Sequence, residues 1–308
     1  MTDLIVFNHN DLDALGCYLN IEFKMPNVSK KYFYTNYANI PKLVDEIIDY
    51  AEENSVRKIL IPDVSFGDNK ESLKRLYEYF DKVVHIDHHL YSDGFWDDFP
   101  NMTVVYDKSK CATKLCNEFF KNTGKNENLD KLTKIIDVYD LWQTKSSVFD
   151  FAQDLNEYFW TYDLELLGGK LIENNFKLLD DFSETVSRIK ATYTADIQKY
   201  EKSSSIKRAR DITFCFIDNW FNQVLIKEMN SGQNFVIGIN SRGIVRVRIN
   251  QDSPYANDQK SKLRIALTGT DTIGHQDAFT YKIKDFKGFD NIINEAKKID
   301  LNLREIFS

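Results

Sequence analysis

Short apolar runs alternate with amphipathic stretches through the first third of the chain. The runs contain mostly β-branched, leucine and aromatic residues and predict strands, whereas the stretches between them carry apolar residues at helical spacing. The predicted strands cover residues 4–7, 32–34, 58–61, 82–84 and 103–106. One predicted helix begins near Asp13, and three others cover residues 41–53, 69–80 and 111–121. Strands that alternate with helices in this way predict an α/β fold, with a mostly parallel five-stranded sheet and helices on both of its faces.

The rest of the chain is first helical and then mixed. Helical patterns cover residues 132–141 and 163–203, and the polar stretch 181–202 is predicted to be a connecting helix. Strand patterns return at residues 212–216, 235–239 and 244–249, with helical patterns at 260–267 and 289–298. We therefore predict a first domain over residues 1–180, a linker helix over 181–205 and a smaller α/β domain over 206–308.

Composition and charge narrow the class of protein. Hydrophobic residues make up 43% and charged residues 28% of the chain, and no apolar run approaches the length of a membrane span. The first residues lack the pattern of a signal peptide, and the four cysteines form no CxxC pair, so we expect a cytoplasmic protein. The formal net charge of -7 argues against a protein that coats long nucleic acids, but it is compatible with a short anionic substrate.

The most unusual segment is residues 85–89, His-Ile-Asp-His-His, directly after a predicted buried strand. The chain has only 5 histidines, and three of them lie in this segment. Alternating carboxylate and imidazole groups are ligands that divalent cations accept. The alternative is that one of these rings is an ordinary histidine of the core.

Further acidic and imidazole side chains follow other predicted strands. His9, Asp11 and Asp13 come after the first strand and Asp63 after the third, while Asp137 and Asp140 share one face of a later helix. The carboxyl ends of parallel strands meet at one edge of a sheet, so these groups are predicted to converge. Two bound cations there could clamp the oxygens of a phosphoryl transfer and activate a water molecule. Taken singly, each carboxylate could instead be a helix cap, a turn residue or part of a polar helix face.

These segments resemble the four successive motifs of the DHH phosphoesterase superfamily. The resemblance covers the first half of the chain and implies a phosphodiesterase with two Mn²⁺ ions, or Mg²⁺ in their place. The implied metal ligands are His9, Asp11, Asp13, Asp63, His88 and Asp137, with Asp140 as the alternative to Asp137. Asp63 would bridge the ions. Asp87, His88 and His89 form the implied catalytic triplet, in which Asp87 and His89 orient the ligands or contact phosphate.

The C-terminal part resembles the DHH-associated domain. Gly274 and His275 match a reduced form of its glycine-rich motif, and Arg246 and Arg248 match the arginine strand that precedes it. The resemblance implies that these four residues bind substrate, in a cleft between the two domains. The two arginines share one face of a predicted strand, where guanidinium groups suit phosphate oxygens. A solvated basic strand face is the alternative interpretation.

Three functional hypotheses follow. The preferred one is a manganese-dependent phosphodiesterase or exonuclease that converts short oligonucleotides to mononucleotides. The second is a hydrolase of a cyclic mono- or dinucleotide or of pAp, and the third is a catalytically impaired nucleotide-binding protein. We expect a nucleotide or short oligonucleotide as the substrate, no membrane partner, and homodimer formation as an open alternative to a monomer.

Overall fold

The computed structural model describes residues 2–36, 39–203, 205–209, 211–269 and 277–307. The chain forms two compact units, Met1–Ser187 and Arg188–Ser308. The division falls inside the helix that had been predicted to connect two domains, and the predicted bounds at 180, 181–205 and 206 stay a prediction. Within the described residues, no helix is both long enough and apolar enough to cross a membrane.

The first unit contains a five-stranded parallel sheet. Its strands are β1 (Leu4–His9), β2 (Lys30–Thr35), β3 (Lys58–Pro62), β4 (Lys82–Asp87) and β5 (Thr103–Tyr106), and they lie in the order β2-β1-β3-β4-β5. Helices α1 (Leu12–Lys24), α2 (Ile40–Glu53), α3 (Lys70–Tyr79) and α4 (Ala112–Phe119) connect or follow these strands. Short 3-10 turns cover Phe95–Asp98 and Lys121–Thr123. The predicted α/β architecture and parallel sheet are confirmed.

Both faces of this sheet are buried, because successive side chains of each strand point to opposite sides. Ile59, Ile61 and Val83 pack on the side of α2 and α3. Leu60 and Ile86 pack on the side of α1 and α4. A parallel sheet that is covered on both sides needs nearly continuous apolar strands, which is what the sequence of β3 and β4 provides.

Helices α5 (Glu127–Asp140), α6 (Phe149–Phe159) and α7 (Leu164–Glu173) complete the first unit, followed by α8 (Phe182–Lys202), which crosses the division. The sequence pattern did not identify α6 as a separate helix. The prediction of unbroken helix over 163–203 was wrong, because the chain turns between α7 and α8. Asn175 and Phe176 both have positive φ there, at 51° and 59°. Two consecutive left-handed residues end a right-handed helix.

The second unit has a mixed five-stranded sheet. Its strands are β6 (Ile206–Ala209), β7 (Ile212–Phe216), β8 (Phe235–Ile239), β9 (Ile244–Ile249) and β10 (Ala278–Lys282), in the order β10-β9-β8-β7-β6. Only β7 and β8 pair in parallel. Helices α9 (Phe221–Asn230), α10 (Asn257–Thr268) and α11 (Phe289–Phe307) accompany the sheet. The smaller α/β unit is confirmed, whereas β6, α9 and β10 were absent from the sequence prediction.

Candidate metal centre

Three neighbouring strands of the first unit end at one edge of the sheet and deliver polar side chains there. β1 ends at His9, β3 ends immediately before Asp63, and β4 ends at Asp87, which His88 and His89 follow. These strands are adjacent in the order β1-β3-β4. The carboxyl edge of a parallel sheet is a usual place for a ligand.

The first cluster consists of His9, Asp11 and Asp63, each of which can place one ligand atom within 4.8 Å of the others. His9 Nδ1 lies 2.9 Å from Asp11 Oδ2 and 3.7 Å from Asp63 Oδ2. Asp11 is also the N-cap of α1, where its Oδ1 accepts a hydrogen bond from the Ala14 amide at 2.9 Å. The cap fixes one carboxylate oxygen and leaves the other directed to His9.

The second cluster consists of Asp13, His88 and Asp140. His88 Nε2 lies 3.6 Å from Asp13 Oδ2 and 3.4 Å from Asp140 Oδ2. Asp13 and His88 are each 2% exposed. The cluster thus joins the first helix, the end of β4 and the last residue of α5.

Asp63 lies between the two clusters. Its Oδ2 is the atom that faces His9, whereas its Oδ1 lies 3.5 Å from His88 Nε2. Its amide donates to the Ile86 carbonyl at 2.9 Å, and its φ of 55° is in the left-handed region. A non-glycine residue with that conformation carries local strain, and such residues concentrate at functional sites.

Helix α4 holds the carboxylate of Asp13. The amides of Ala112 and Thr113 donate to its two oxygens at 2.8 Å each, and the Thr113 hydroxyl donates to the Asp13 carbonyl at 2.7 Å. The first amides of a helix have no partner within the helix, so a carboxylate is a favourable cap for them. Asp13 therefore both caps α4 and faces His88.

Asp137, the preferred fourth-motif ligand of the sequence analysis, lies elsewhere. Its Oδ1 accepts from the Cys111 amide at 2.9 Å, and its Oδ2 lies 2.8 Å from Lys114 Nζ. The residue is 4% exposed and belongs to neither cluster. It caps α4 from the side of α5. The structure brings the alternative, Asp140, to the centre instead, because it lies about 4.5 Å further along the axis of α5 than Asp137.

Asp87 and His89 form a hydrogen-bonded pair. Asp87 Oδ1 accepts from His89 Nδ1 at 2.7 Å and from the His88 amide at 2.8 Å, while Oδ2 accepts from the Tyr91 hydroxyl. The Tyr106 hydroxyl donates to the His89 carbonyl at 2.7 Å. These contacts fix the orientation of the His89 ring, since the nitrogen that binds a carboxylate sets the tautomer and direction of an imidazole.

His85 belongs to the core, in agreement with the alternative considered for this segment. It is completely buried, its Nε2 donates to the Val64 carbonyl at 3.0 Å, and its ring lies against Trp96. Burial lowers the pKa of His85, and the ring is neutral. By binding the residue that follows Asp63, it supports the end of β3.

The clusters concentrate negative charge in a buried space. Burial raises the pKa of Asp63 well above its usual range, and the carboxylates of Asp13 and Asp11 raise it further. Burial also raises the pKa of Asp140, with an opposing effect of His88. Burial lowers the pKa of His88, but Asp140 and Asp13 outweigh this and raise it. Crowded carboxylates of this kind are stabilised by cations or protons.

The donor set fits hard divalent cations. The possible ligands are carboxylate oxygens and the imidazoles of His9, His88 and His89, without a thiolate, and this set suits Mn²⁺ or Mg²⁺ better than a structural zinc ion. The buried Oδ2 of Asp140 accepts no hydrogen bond from any residue that the structure describes. This oxygen lies 3.4 Å from His88 Nε2, so the two atoms are close enough to be ligands of one ion.

The predicted substrate-binding residues belong to the second unit. Arg246 and Arg248 are half-buried on the same side of β9, and the guanidinium of Arg246 lies over the Phe221 ring at 5.9 Å. Arg248 donates to the Val247 carbonyl at 3.0 Å. Gly274 and His275 lie outside the described residues.

Sequence reasoning missed the residues that support the centre. The sequence analysis gave Tyr91 no role, and it placed Thr113 and Lys114 in a predicted helix without a function. The signal for Thr113 was its position in the first turn of α4, because a hydroxyl there often forms a hydrogen bond with backbone or capping groups at the helix start. No pattern marked Tyr91, because its partner Asp87 is reached only through the fold of the loop after β4.

Comparison with known proteins gave matches at the level of structure. No protein-family model and no curated protein matches the sequence. RecJ from Thermus thermophilus, solved with Mn²⁺, matches with a TM-score of 0.66 at 13% identity over 98% of this chain. This chain spans 52% of that RecJ structure.

Two further solved structures match over 98% of this chain. An exonuclease RecJ bound to manganese gives a TM-score of 0.63 at 11% identity, with 90% of its own chain covered. A pGpG-specific phosphodiesterase, PggH from Vibrio cholerae, gives 0.56 at 14% identity, with 99% covered. The fold that the four motifs implied is thus confirmed: this chain has a RecJ-like fold.

Proposed function

We propose that the protein is a phosphodiesterase that uses two divalent cations, Mn²⁺ or Mg²⁺, to hydrolyse short oligonucleotides to mononucleotides. The observation that carries this proposal is the position of Asp63. One of its oxygens faces His9 of the first cluster and the other faces His88 of the second. A carboxylate placed between two clusters in this way suits a bridge between two cations.

The ligands follow from the two clusters. His9, Asp11 and Asp63 would hold one ion, and Asp13, His88 and Asp140 the other, with Asp63 Oδ1 facing His88 as a further ligand. When bound, such a pair of cations activates a water molecule and stabilises the negative charge that develops on the phosphate. Asp140 replaces Asp137 in this assignment. Asp137 keeps a supporting role, because it holds the start of α4, which in turn holds Asp13.

Asp87 and His89 orient the centre from the end of β4. Asp87 remains ionised: burial opposes ionisation, but His89 and the other nearby imidazoles outweigh this and hold its pKa below the usual range. The carboxylate fixes His89 Nδ1 and with it the direction of the ring, and we assign to this ring a contact with a phosphate oxygen of the substrate. The roles of Asp87 and His89 are thus orientation and phosphate contact, and that of His88 is metal binding.

Arg246 and Arg248 are the proposed phosphate-binding residues of the second unit. Support comes from their placement on one side of β9, at positions two apart, where both residues are half-buried. Gly274 and His275 are proposed for the same role on the resemblance alone. Arg→Ala variants are expected to raise KM with a smaller effect on kcat, because the residues would bind substrate at a distance from the bond that breaks.

A short substrate is supported by the net charge of -7, which disfavours a protein that holds long nucleic acids by charge. A cytoplasmic location and a homodimer stay predictions.

The decisive experiment is product analysis with end-labelled oligonucleotides, from dinucleotides to longer oligomers, in Mn²⁺, Mg²⁺ or EDTA. We expect mononucleotide release from the short oligomers with Mn²⁺ and none with EDTA. Asp63→Asn and His88→Ala should abolish release. Lys74→Gln, a change on the exposed side of α3, is the matched control and should leave release unchanged. Intact oligomers in Mn²⁺ with both the wild type and Lys74→Gln would refute the proposal.

The same assay separates the other two hypotheses. Turnover of cyclic mono- or dinucleotides or of pAp, without turnover of linear oligomers, would select the second hypothesis. Nucleotide binding without any product after long incubation would select the impaired binding protein. The retained set of carboxylates supports catalysis, because a binding protein has little use for so many metal ligands.

A further inference from the structure

A cavity lies at the edge of the first sheet opposite the candidate metal centre, where the strands begin. It has a volume of about 500 Å³. Its lining includes the first residues of β3, β4 and β5, which are Lys58, Lys82 and Thr103. The clusters described above lie at the other ends of these strands, and the five-residue strand β3 leads from Lys58 to Asp63. Five residues of strand span about 17 Å.

The floor and walls of this cavity are apolar. Leu4, Leu60 and Val84 form the floor, on the side of the sheet that α1 and α4 cover. The walls include Met25 beyond α1 and Phe120 beyond α4. Neighbouring Phe119 also lines the cavity and is 41% exposed, which is high for a phenylalanine. A pocket of this size and composition can bury the apolar part of a small molecule.

Two lysines stand side by side at the rim. Lys58 and Lys82 are direct neighbours in the register of β3 and β4, and both line the cavity. Like charges opposite each other on adjacent strands are destabilising. Among the residues that the structure describes, neither ammonium group has a carboxylate within ion-pair distance. The pair therefore forms a local cationic site above an apolar floor, in a chain that is acidic overall.

The nearby carbonyl groups and the nearby carboxylate are bonded to residues other than Lys58 and Lys82. The carbonyls of Met25 and Val28, which follow α1, already accept from Lys30 Nζ at 2.8 and 2.9 Å. Asp3, the one carboxylate residue of the lining, accepts a hydrogen bond from the Ser29 amide at 3.2 Å. The charges on Lys58 and Lys82 are thus available to an external anion.

We propose that this cavity binds an amphipathic monoanion, a carboxylate with an aliphatic chain. The carboxylate would lie between Lys58 and Lys82, and the chain would lie on Leu60 and Val84. Charge complementarity places the head group, and burial of methylene groups supplies most of the binding free energy, at about 0.8 kcal/mol for each. The site is separate from the metal centre, and its occupancy does not depend on the proposed nuclease activity.

The test is isothermal titration calorimetry of the full chain with decanoate, below its micelle concentration. Decanol, which has the chain without the charge, and acetate, which has the charge without the chain, are the comparison ligands. We expect saturable binding of decanoate and binding of either comparison ligand that is at least about tenfold weaker, since a charge-assisted contact contributes about 1.5–3 kcal/mol.

The matched variants are Lys58→Gln with Lys82→Gln, and Lys42→Gln with Lys74→Gln as the control pair. The control lysines are exposed on α2 and α3, over the other face of the sheet. The first pair should weaken decanoate binding at least about tenfold, while the control pair should leave it unchanged. Thermal melting confirms that both variants are folded. Equal binding by all proteins, equal affinity for decanol, or heat that appears only with micelles would overturn the proposal.

Discussion

The two aspartates of α5 offer a sharp test, because the structure assigns them different tasks. Asp140 faces His88 at the proposed metal centre, whereas Asp137 caps α4 and pairs with Lys114. Substituting each with alanine should therefore separate metal binding from stability. Asp140→Ala should lose cation binding and keep its fold, while Asp137→Ala should lose stability and keep most of its cation binding.

The magnitude for Asp137→Ala follows from its contacts. Loss of a capping acceptor costs about 0.5–2 kcal/mol, and the half-exposed ion pair with Lys114 adds less than about 1 kcal/mol. We take about 2 kcal/mol in total, which lowers the Tm of a unit of this size by about 4–8 °C. Asp140→Ala removes a carboxylate from a crowded buried group, so the metal-free Tm should stay constant or rise.

Cation binding is measured by the rise in Tm with Mn²⁺. At a free concentration of 100 times Kd, a ligand stabilises the native state by about 2.7 kcal/mol, which corresponds to about 5–11 °C. If Asp140→Ala weakens binding by about 100-fold, the same Mn²⁺ concentration supplies only about 0.4 kcal/mol, and the Tm rises by about 1–2 °C.

The assay is scanning fluorimetry of the wild type and both variants with EDTA and with Mn²⁺, supported by calorimetric titration of Mn²⁺. A full Mn²⁺ response in Asp140→Ala, together with a lost response in a folded Asp137→Ala, would show that the assignment of the two residues is reversed.

Three further predictions concern packing, orientation and accessibility. Gly168→Ala should destabilise the protein by about 1–3 kcal/mol, because the new Cβ would lie 2.5 Å from the Tyr18 ring. Gly169→Ala, whose new Cβ would have no atom within 4 Å, should stabilise the protein by up to about 1 kcal/mol. Thermal melts compare the two variants. Tyr91→Phe, which removes the hydroxyl bonded to Asp87, should cost about 1 kcal/mol and lower kcat on dinucleotides more than it changes KM, as steady-state kinetics would show. All four cysteines are buried, so iodoacetamide should label none of them in the native protein and all of them in denaturant, by mass spectrometry.

The sequence was informative wherever a local pattern dictates structure. Apolar runs flanked by helical periodicity predicted the parallel sheet, and the positions of polar residues directly after those runs predicted which side chains meet at its edge. The carboxylate and imidazole groups at those positions predicted a site for divalent cations. These inferences depend on period and order along the chain, which are properties of the sequence itself.

Other features required the tertiary structure. Asp137 and Asp140 lie on the same helical face in any periodicity analysis, and only the placement of α5 against α4 and β4 decides that Asp140 reaches His88. The position of Asp63 between two clusters depends on a left-handed backbone conformation that no apolar pattern encodes. The pair of lysines at the rim of the cavity at the opposite edge forms only because the register of β3 and β4 aligns Lys58 with Lys82. Contacts between residues far apart in the chain arise from packing, and packing is not a local property.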